Sequence, residues 1–299
     1  MVFKGRGLTK KHFNKKANYI IDEFLVQGAI TMIYAPPKNG KSSFAIGLCK
    51  WLMDNTDVYP CYLDYDNPTI ALEDRKVNNI IEEYNMQFDY VHPDVIRMSA
   101  KDAINEMLND VKNTSYSNVV LFFDSATNFI SDVGSDTAVS AFIEKMKILR
   151  SAGATIIILH HTNKSEAGYK GSGNFSSQCD NVFSLTSEDI NELEGNILLE
   201  RKDARFGRVK SVAFNLRKDN WEMKKVKYED VNMPIYVQNY IREITRVLRK
   251  AKEPLNQTKL LEALGKNKAD KTLLEILTKY TGVYWSFTEK GKAKLYSLL

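Results

Sequence analysis

A loop of the phosphate-binding type constrains the fold of this chain more than any other feature. Residues 30–34 form an apolar run, residues 35–42 read APPKNGKS, and residues 43–48 continue with a helical pattern. Where a buried strand, a tight loop and a helix follow one another, backbone N–H groups and the helix N-terminus form a nest for phosphate oxygens. The sequence therefore predicts an α/β fold that binds a nucleoside triphosphate, with ATP expected.

The side chains of this loop have distinct expected roles. Lys41 is placed to reach the β- and γ-phosphates, and the Ser42 hydroxyl to hold Mg²⁺. Ala35 stands where the GxxxxGK[ST] pattern has its first glycine, a small departure because Ala adopts most conformations that Gly adopts at negative φ. The residues expected to contact the nucleotide are Ala35, Pro36, Pro37, Lys38, Asn39, Gly40, Lys41, Ser42 and Ser43.

Apolar strands alternate with amphipathic helices through the first two thirds of the chain, and one such helix is expected at 69–86. Strands that are apolar throughout indicate a mostly parallel sheet with helices on both faces. Residues 181–216 are expected to append antiparallel strands to this sheet. The α/β domain is expected to cover residues 20–232, after a basic N-terminal arm at 1–19.

The composition changes near Met233, and the last segment has its own pattern. Three short helices followed by a strand give the order of a winged-helix domain over residues 236–299, with a final helix expected at 289–299. Lysines cluster around the third helix, which is the element that enters the major groove in helix-turn-helix proteins. They predict DNA contacts, and protein docking or ring stabilisation is the alternative. These lysines are Lys266, Lys268, Lys271 and Lys279.

Charge is distributed unevenly along the chain. The net charge is +5, whereas residues 51–200 carry 10 Lys/Arg against 24 Asp/Glu and residues 201–227 carry 10 against 3. An acidic body with basic segments indicates a polyanion bound at particular surfaces, with a solvated lysine-rich face as the alternative for any one segment. No apolar run approaches the ~20 residues that span a bilayer. The three cysteines fit neither disulfides nor a zinc site, so a cytoplasmic setting without membrane association is expected.

Carboxylates at strand ends provide the chemistry expected of a hydrolytic triphosphate site. Asp124 ends the most apolar strand, where a carboxylate is costly to bury unless it meets a cation, so it is expected to hold Mg²⁺ with Ser42; helix capping is the alternative. Asp66 is the expected general base and Asp64 the second candidate, because both face the same way on one strand. For Asp66 a turn or capping role is the alternative.

A histidine pair ends the last apolar strand. His160 and His161 are candidates for sensing the γ-phosphate, with His161 favoured. A metal site is the alternative, although no third ligand lies nearby in sequence.

In this order the motifs resemble those of the RecA-like P-loop ATPases, most closely the RepA-type and DnaB-type hexameric replicative DNA helicases. The resemblance covers about residues 19–220 and is carried by APPKNGKS, YLDYDNP, VVLFFDS, IIILHHTNK and YKGSGNFSSQCDNVFSL. In that family the carboxylate that ends the second strand is normally Glu. This chain has Asp66 there, one methylene shorter, which makes its role and the turnover rate the points to test.

The resemblance implies a loop after the histidine strand that lines a central DNA channel. Glycines there permit close approach to a phosphate backbone, and a lysine supplies charge. A solvent loop is the alternative. The corresponding residues are Lys170, Gly171, Ser172, Gly173 and Asn174.

The resemblance further implies a basic pair on the late hairpin that reaches the neighbouring subunit's site and neutralises γ-phosphate charge, as an arginine finger does. Arg205 and Lys202 fit this role in trans, Arg205 more firmly. Arg201 and Arg208 compete with them, and a structural salt bridge is the alternative.

These implications together predict an ATP- and Mg²⁺-dependent DNA helicase. It would form a homo-oligomeric ring, with a hexamer favoured, on single-stranded DNA during replication of a plasmid, phage or other mobile element. An ATP-gated DNA-binding replication initiator or regulator is one alternative, and a recombinase-like filament ATPase is another.

Overall fold

The computed structural model describes residues 10, 16–162, 169, 171, 173–251, 253–267, 270–291 and 293–299. The chain divides into two compact units, Met1–Val231 and Asn232–Leu299. Most of the segment predicted as a basic arm, residues 1–19, lies outside the described residues.

Eleven strands are described in the first unit. In chain order they are β1 (Tyr19–Ile21), β2 (Leu25–Val26), β3 (Ile30–Ala35), β4 (Tyr59–Asp64), β5 (Asp89–Val91), β6 (Val119–Asp124), β7 (Thr155–His161), β8 (Asn181–Asp189), β9 (Glu194–Ala204), β10 (Val212–Arg217) and β11 (Met223–Val226). β1 and β2 pair with each other, and the other nine form one sheet in the order β11-β10-β9-β8-β3-β7-β6-β4-β5.

The sheet is parallel from β8 through β5 and antiparallel from β8 through β11. The prediction of a mostly parallel sheet is therefore confirmed. The appended strands run antiparallel to one another as predicted, but the first of them, β8, joins the sheet parallel to β3, with Asn181 beside Thr31.

Helices lie on both faces of this sheet, as predicted. Because neighbouring strand residues point to opposite faces, β3 places Ile33 in one core and Met32 in the other. Within the described residues, no helix is both long and apolar enough to cross a bilayer. The helices of this unit are α1 (Lys41–Asn55), α2 (Thr69–Asp74), α3 (Val77–Glu83), α4 (Pro93–Ile96), α5 (Ala100–Asp110), α6 (Ala126–Phe129), α7 (Asp136–Ser151), α8 (Asn174–Gln178) and α9 (Tyr228–Val231).

The single helix expected at 69–86 is wrong in one respect. Lys76 has φ 58, a left-handed conformation that an α-helix does not accommodate, so the segment divides into α2 and α3. The division places Arg75, the residue directly after α2, near the end of β4, where the Asn67 side chain accepts a hydrogen bond from it.

The second unit has its own core around the fully buried Trp285. Its elements are α10 (Ile235–Lys250), β12 (Leu255–Asn256), α11 (Gln257–Ala263), α12 (Lys271–Lys279), β13 (Trp285–Lys290) and β14 (Ala293–Leu298). The helix expected at 289–299 is wrong, because β13 and β14 form an antiparallel hairpin whose turn includes Gly291 at φ 62. That conformation suits a hairpin turn and interrupts a helix.

Candidate nucleotide site

The strand ends that carry the predicted motifs meet at one edge of the sheet. The register aligns Ala35 with His161 and Asp64 with Asp124, so β3, β7, β4 and β6 all end there. This is the edge at which open α/β sheets bind ligands. The topology therefore brings the loop, the carboxylates and the histidine together.

The loop after β3 requires a glycine at one position, Gly40, and does not require one at Ala35. Gly40 has φ +79, and a Cβ there would lie 3.3 Å from Ser187 Cβ. Asn39 is held by β8, because its amide oxygen accepts a hydrogen bond from the Ser187 hydroxyl at 3.1 Å. Ala35 is the last residue of the extended strand β3, a position that requires no glycine.

Lys41 is the first residue of α1 and is 5% exposed. Its ammonium donates hydrogen bonds to the carbonyl oxygens of Ala35 and Pro36, each at 3.0 Å. Burial lowers the pKa of Lys41, and the nearby negative charges of Asp124 and Asp66 oppose that shift. Lys41 thus extends across the loop and lies near both carboxylates. A lysine that contacts the terminal phosphates has to lie in such a position.

Asp124 is buried, and its two oxygens have different surroundings. The Tyr62 hydroxyl donates to Oδ2 at 2.6 Å. Oδ1 is buried and has no hydrogen-bond partner among the described residues. Burial raises the pKa of Asp124 to about 6, and hydrogen bonds from Tyr62 and Ser42 oppose that rise.

These surroundings fit Mg²⁺. Mg²⁺ prefers oxygen ligands and is usually held by one or two carboxylates together with substrate phosphates and water. Asp124 offers a buried oxygen without a partner among the described residues, and the Ser42 hydroxyl acts to lower the pKa of that carboxyl. Among the residues that the structure describes, no group of three or more His, Cys, Asp or Glu side chains is arranged to hold a metal ion. A metal here would therefore depend on Asp124, Ser42 and the nucleotide.

The two candidate bases have different environments. Asp64 is fully buried and accepts hydrogen bonds from the backbone N–H groups of Asp66 and Asn67, both at 2.9 Å, and from Tyr90 at 2.6 Å. The turn role considered for Asp66 thus belongs to Asp64. Asp66 lies beyond β4 and is exposed; its Oδ1 is 3.3 Å from the Asn128 amide nitrogen. Asp66 therefore has room to act on water, whereas Asp64 shapes the turn.

The histidine pair divides between the site and the core, because successive strand residues point to opposite faces. His161 Nε2 lies 3.9 Å from Asp66 Oδ2, and its Nδ1 lies 3.3 Å from the Lys41 ammonium. His160 is fully buried and stacks on Phe175 with ring centroids 4.6 Å apart. His161 is thus the histidine of the site.

A cavity of about 320 Å³ joins these groups. Its lining includes Arg75, an exposed cation that the sequence did not single out and that donates a hydrogen bond to Asn67 Oδ1 at 3.0 Å. The +9 spacing from Asp66 across a turn and a short helix carries no recognisable pattern, so sequence reasoning had no signal for it. The lining residues are Pro37, Lys38, Asn39, Gly40, Lys41, Ser42, Ser43, Asp66, Asn67, Arg75 and His161.

The late hairpin is formed by β9 and β10, and its basic residues interact with partners in their own chain. Arg205 pairs with the buried Asp180 at 3.2 Å, and its backbone N–H donates to the Asp180 carbonyl. Since Asp180 precedes β8 and also accepts from the N–H of Ile30, Arg205 lies level with the start of β3. The phosphate loop follows the other end of that strand, about 17 Å away at ~3.3 Å per residue. Arg205 is therefore remote from its own phosphate loop.

The remaining cations of the hairpin also have partners. Lys202 pairs with Glu200 at 2.6 Å. Arg201 donates to the carbonyl oxygen of Val209. Arg208 pairs with Asp22 and lies over the ring of Tyr19. The structural salt bridge considered as the alternative is present for Arg205, and the in-trans role stays a prediction.

The loop after β7, one of the segments expected to contact DNA, is described only in part. In the loop after β7, Gly171 has φ +99, and a Cβ there would meet the Val133 carbonyl oxygen at 2.1 Å, so this glycine is required by packing. Asn174 begins α8 directly after Gly173. Lys170 and Ser172 lie outside the described residues.

In the second unit, the described lysines around α12 have different surroundings. Lys266 lies over the Tyr240 ring and Lys279 over the Tyr280 ring, while Lys271 is exposed at the start of the helix. Lys268 lies outside the described residues. The DNA contact expected of these lysines stays a prediction.

Comparisons with known proteins agree with this fold. The sequence profile of the AAA domain family matches residues 9–167. The ATPase domain of G40P has a similar structure, with a TM-score of 0.53 and 12% sequence identity, over 76% of this chain and 96% of that chain. No curated protein sequence matches significantly. At that identity the structural similarity concerns the fold alone, and it agrees with a RecA-like α/β core.

Proposed function

This chain belongs to the AAA domain family, and we propose that it is an ATP-driven DNA helicase. In this proposal it assembles as a ring, with a hexamer favoured, on single-stranded DNA during replication of a plasmid, phage or other mobile element. We assign it to the cytoplasm, and we assign the second unit to the winged-helix class from its order of three helices and a terminal hairpin.

One observation carries the hydrolytic part of the proposal. Lys41, Asp66 and His161 line one cavity at the strand ends, and the buried Asp124 lies against Ser42 beside them. A triphosphate site needs a phosphate-binding cation, a group that holds the metal and a base that orients water. In the proposal Lys41, Asp124 with Ser42, and Asp66 take these three roles.

The roles follow from the surroundings of each group. When bound, Mg²⁺ supplies positive charge to the phosphate oxygens. Asp124 Oδ1 and the Ser42 hydroxyl would hold it, while Lys41 exchanges its bonds to the loop carbonyls for phosphate oxygens. Asp66 orients the attacking water and accepts its proton. His161, close to both Lys41 and Asp66, responds to the terminal phosphate.

The proposal assigns completion of the site to a second copy of the chain. Arg205 lies at the far end of β3 from the loop, so any action on a γ-phosphate has to be in trans. Lys202, which pairs with Glu200 on the same hairpin, would accompany Arg205. Assembly would thus be needed for full turnover.

The motor hypothesis is tested by coupling hydrolysis to DNA. We expect oligo(dT) to stimulate ATP turnover and the full chain to unwind a forked duplex with ATP and Mg²⁺. Lys41→Ala should abolish turnover and unwinding, while Lys112→Ala, at an exposed lysine that does not line the cavity, should retain most of both. Electron microscopy with ATP and DNA separates a ring from a filament. Absence of stimulation together with unchanged DNA binding and assembly in Lys41→Ala would contradict the motor.

A second candidate is an ATP-gated DNA-binding initiator or regulator. The observation that favours it is Asp66, whose shorter side chain, as compared with Glu, suits slow hydrolysis. This candidate predicts ATP-dependent assembly and DNA binding without unwinding. A recombinase-like filament is a third outcome of the same microscopy.

A further inference from the structure

We propose that the second unit binds the phosphodiester backbone of DNA through the outer face of α10, rather than through α12. The face consists of Arg242, Arg246, Arg249 and Lys250, which we call the α10 basic face. All four side chains are exposed. They lie on the side of the helix opposite the buried residues Val237, Ile241, Ile244 and Leu248.

The α10 basic face consists of cations without partners. None of its four side chains forms an ion pair, hydrogen bond or ring contact with another residue in the part of the chain that the structure describes. In the first unit, by contrast, exposed cations such as Arg208, Lys210 and Arg217 each pair with a carboxylate on the surface. Unpaired cations in one row produce a positive potential that attracts a polyanion.

Helix stability alone does not account for this row. Cations in the last helical turn interact favourably with the helix dipole, which explains Arg249 and Lys250. Arg242 and Arg246 lie earlier and gain little from that effect. Their mutual repulsion at an i, i+4 spacing disfavours the helix slightly. Helix stability therefore does not explain Arg242 and Arg246, whereas binding of an external anion would.

The shape of the surface fits a phosphate chain. A cavity of about 540 Å³ lies along α10 and is lined by Ile241, Arg242, Thr245, Arg246, Arg249, Lys250 and Tyr284, with no carboxylate among them. From Arg242 to Lys250 the helix rises about 12 Å, at ~1.5 Å per residue. Phosphates along one DNA strand advance ~3.4 Å each, so the row spans roughly three or four of them.

The residue types favour phosphate over a carboxylate-rich protein segment. Three of the four cations are arginines, whose planar guanidinium binds phosphate oxygens through two hydrogen bonds. The regular spacing along one helix matches a repeating charge. Since backbone contacts carry no sequence information, we expect binding that is independent of DNA sequence.

The test compares two triple variants of the full chain that remove the same charge. Arg242→Gln/Arg246→Gln/Arg249→Gln changes the α10 basic face, and Lys266→Gln/Lys271→Gln/Lys279→Gln changes α12. Binding to a fluorescein-labelled DNA duplex and to labelled oligo(dT) is measured without ATP, between about 50 and 200 mM salt. The two probes distinguish a duplex ligand from a single strand.

We expect the α10 variant to bind duplex at least about tenfold more weakly and to reduce the slope of log K against log salt by roughly 2 to 3, which corresponds to three lost phosphate contacts. The α12 variant should remain within about threefold of the parent. Equal weakening of both variants, or none in the α10 variant, overturns the proposal. So does binding of poly-glutamate in preference to DNA.

Two controls keep the result readable. DNA-independent ATP turnover should be unchanged in both variants, so that a failure of the motor hypothesis and a failure of this proposal are seen in different assays. If the triple α10 variant melts early, Arg246→Gln alone should still reduce the salt slope by about 0.9 for a duplex. An unchanged slope in that single variant also overturns the proposal.

Discussion

Tyr62 donates its phenol hydroxyl to Oδ2 of Asp124 at 2.6 Å, and both side chains are buried in the middle of the sheet. The bond fixes the carboxylate so that one oxygen is occupied and Oδ1 is left without a partner. A second tyrosine, Tyr90, stacks on Tyr62 with ring centroids 5.0 Å apart and donates to Asp64 instead. Two stacked phenols thus orient two neighbouring carboxylates that have different tasks.

Tyr62→Phe should weaken the metal site. The change keeps the ring and removes the hydroxyl, so a buried acceptor loses its donor and the free energy of unfolding should fall by about 1–3 kcal/mol. The Mg²⁺ concentration for half-maximal ATP turnover should rise. Tyr90→Phe is the matched control, because it removes the same bond from Asp64 and should cost stability without changing the Mg²⁺ requirement. Identical Mg²⁺ curves for the two variants would contradict a positioning role for Tyr62.

Asp124→Asn should stabilise the protein above pH 6 when no divalent cation is present. The pKa of Asp124 is raised by burial from 3.8 to about 6, so the folded chain holds this proton more tightly than the unfolded chain. Asp124 makes its full contribution to the free energy of unfolding below pH 3.8. That contribution is lost as the pH rises through 6, and the free energy of unfolding falls by about 3 kcal/mol. Urea unfolding of parent and variant across this range isolates the difference. A constant difference between them would show that Asp124 does not titrate there.

Asp66 and Asp64 should respond differently to loss of charge. Asp66→Asn should reduce ATP turnover by at least about 100-fold, which is the lower end of the range for one acid–base group. It should have little effect on stability, because Asp66 is exposed. Asp64→Asn should lower the free energy of unfolding, since it disturbs the turn that holds Asn67. Asp66→Glu, which restores the missing methylene, should retain or increase turnover. Full activity in Asp66→Asn would remove the residue from the mechanism.

The loop, Asp124 and His161 were accessible from the sequence because each follows an apolar run, and such runs mark buried strand ends. The distinction between Asp64 and Asp66 was not accessible, since it depends on a turn in which the Asp64 carboxylate accepts two backbone N–H groups. The helix expected at 289–299 is wrong because the segment turns at Gly291, whose positive φ the sequence pattern does not reveal, and continues as β14. The unpartnered row on α10 required the structure, since the sequence does not show which cations are paired.

Arg75→Gln should slow hydrolysis more than it weakens nucleotide binding. Arg75 lines the cavity, and among the described residues its guanidinium donates one hydrogen bond, to Asn67, so it is available to a negatively charged group there. We expect kcat to fall by about tenfold or more, since charge at the transferring phosphate increases in the transition state. Lys76→Gln is the control, because Lys76 is the next residue, is exposed and does not line the cavity. Equal effects in both variants would assign the loss to the α2–α3 junction instead.

Arg205→Ala should reduce ATP turnover only when copies of the chain assemble. Arg205 lies at the far end of β3 from its own loop, and its present partner Asp180 is shared with Arg150, which pairs with it at 2.9 Å. If Arg205 acts in trans, mixing Arg205→Ala with Lys41→Ala should restore part of the activity, because some interfaces then combine an intact loop with an intact arginine. An arginine finger contributes about 10³-fold or more, so the homogeneous variant should be nearly inactive.

Arg150→Ala separates this role from the structural one. It removes the other arginine from Asp180 and leaves Arg205 in place, so a purely structural ion pair would make the two variants alike in stability and in turnover. We expect Arg150→Ala to lower the melting temperature and to retain turnover in the assembled protein. Arg205→Ala should keep the melting temperature and lose turnover, since the Arg205 side chain is the more exposed of the two. If both variants lose activity in parallel and mixing restores none, Arg205 belongs to the fold and the cation that acts between subunits must be sought elsewhere.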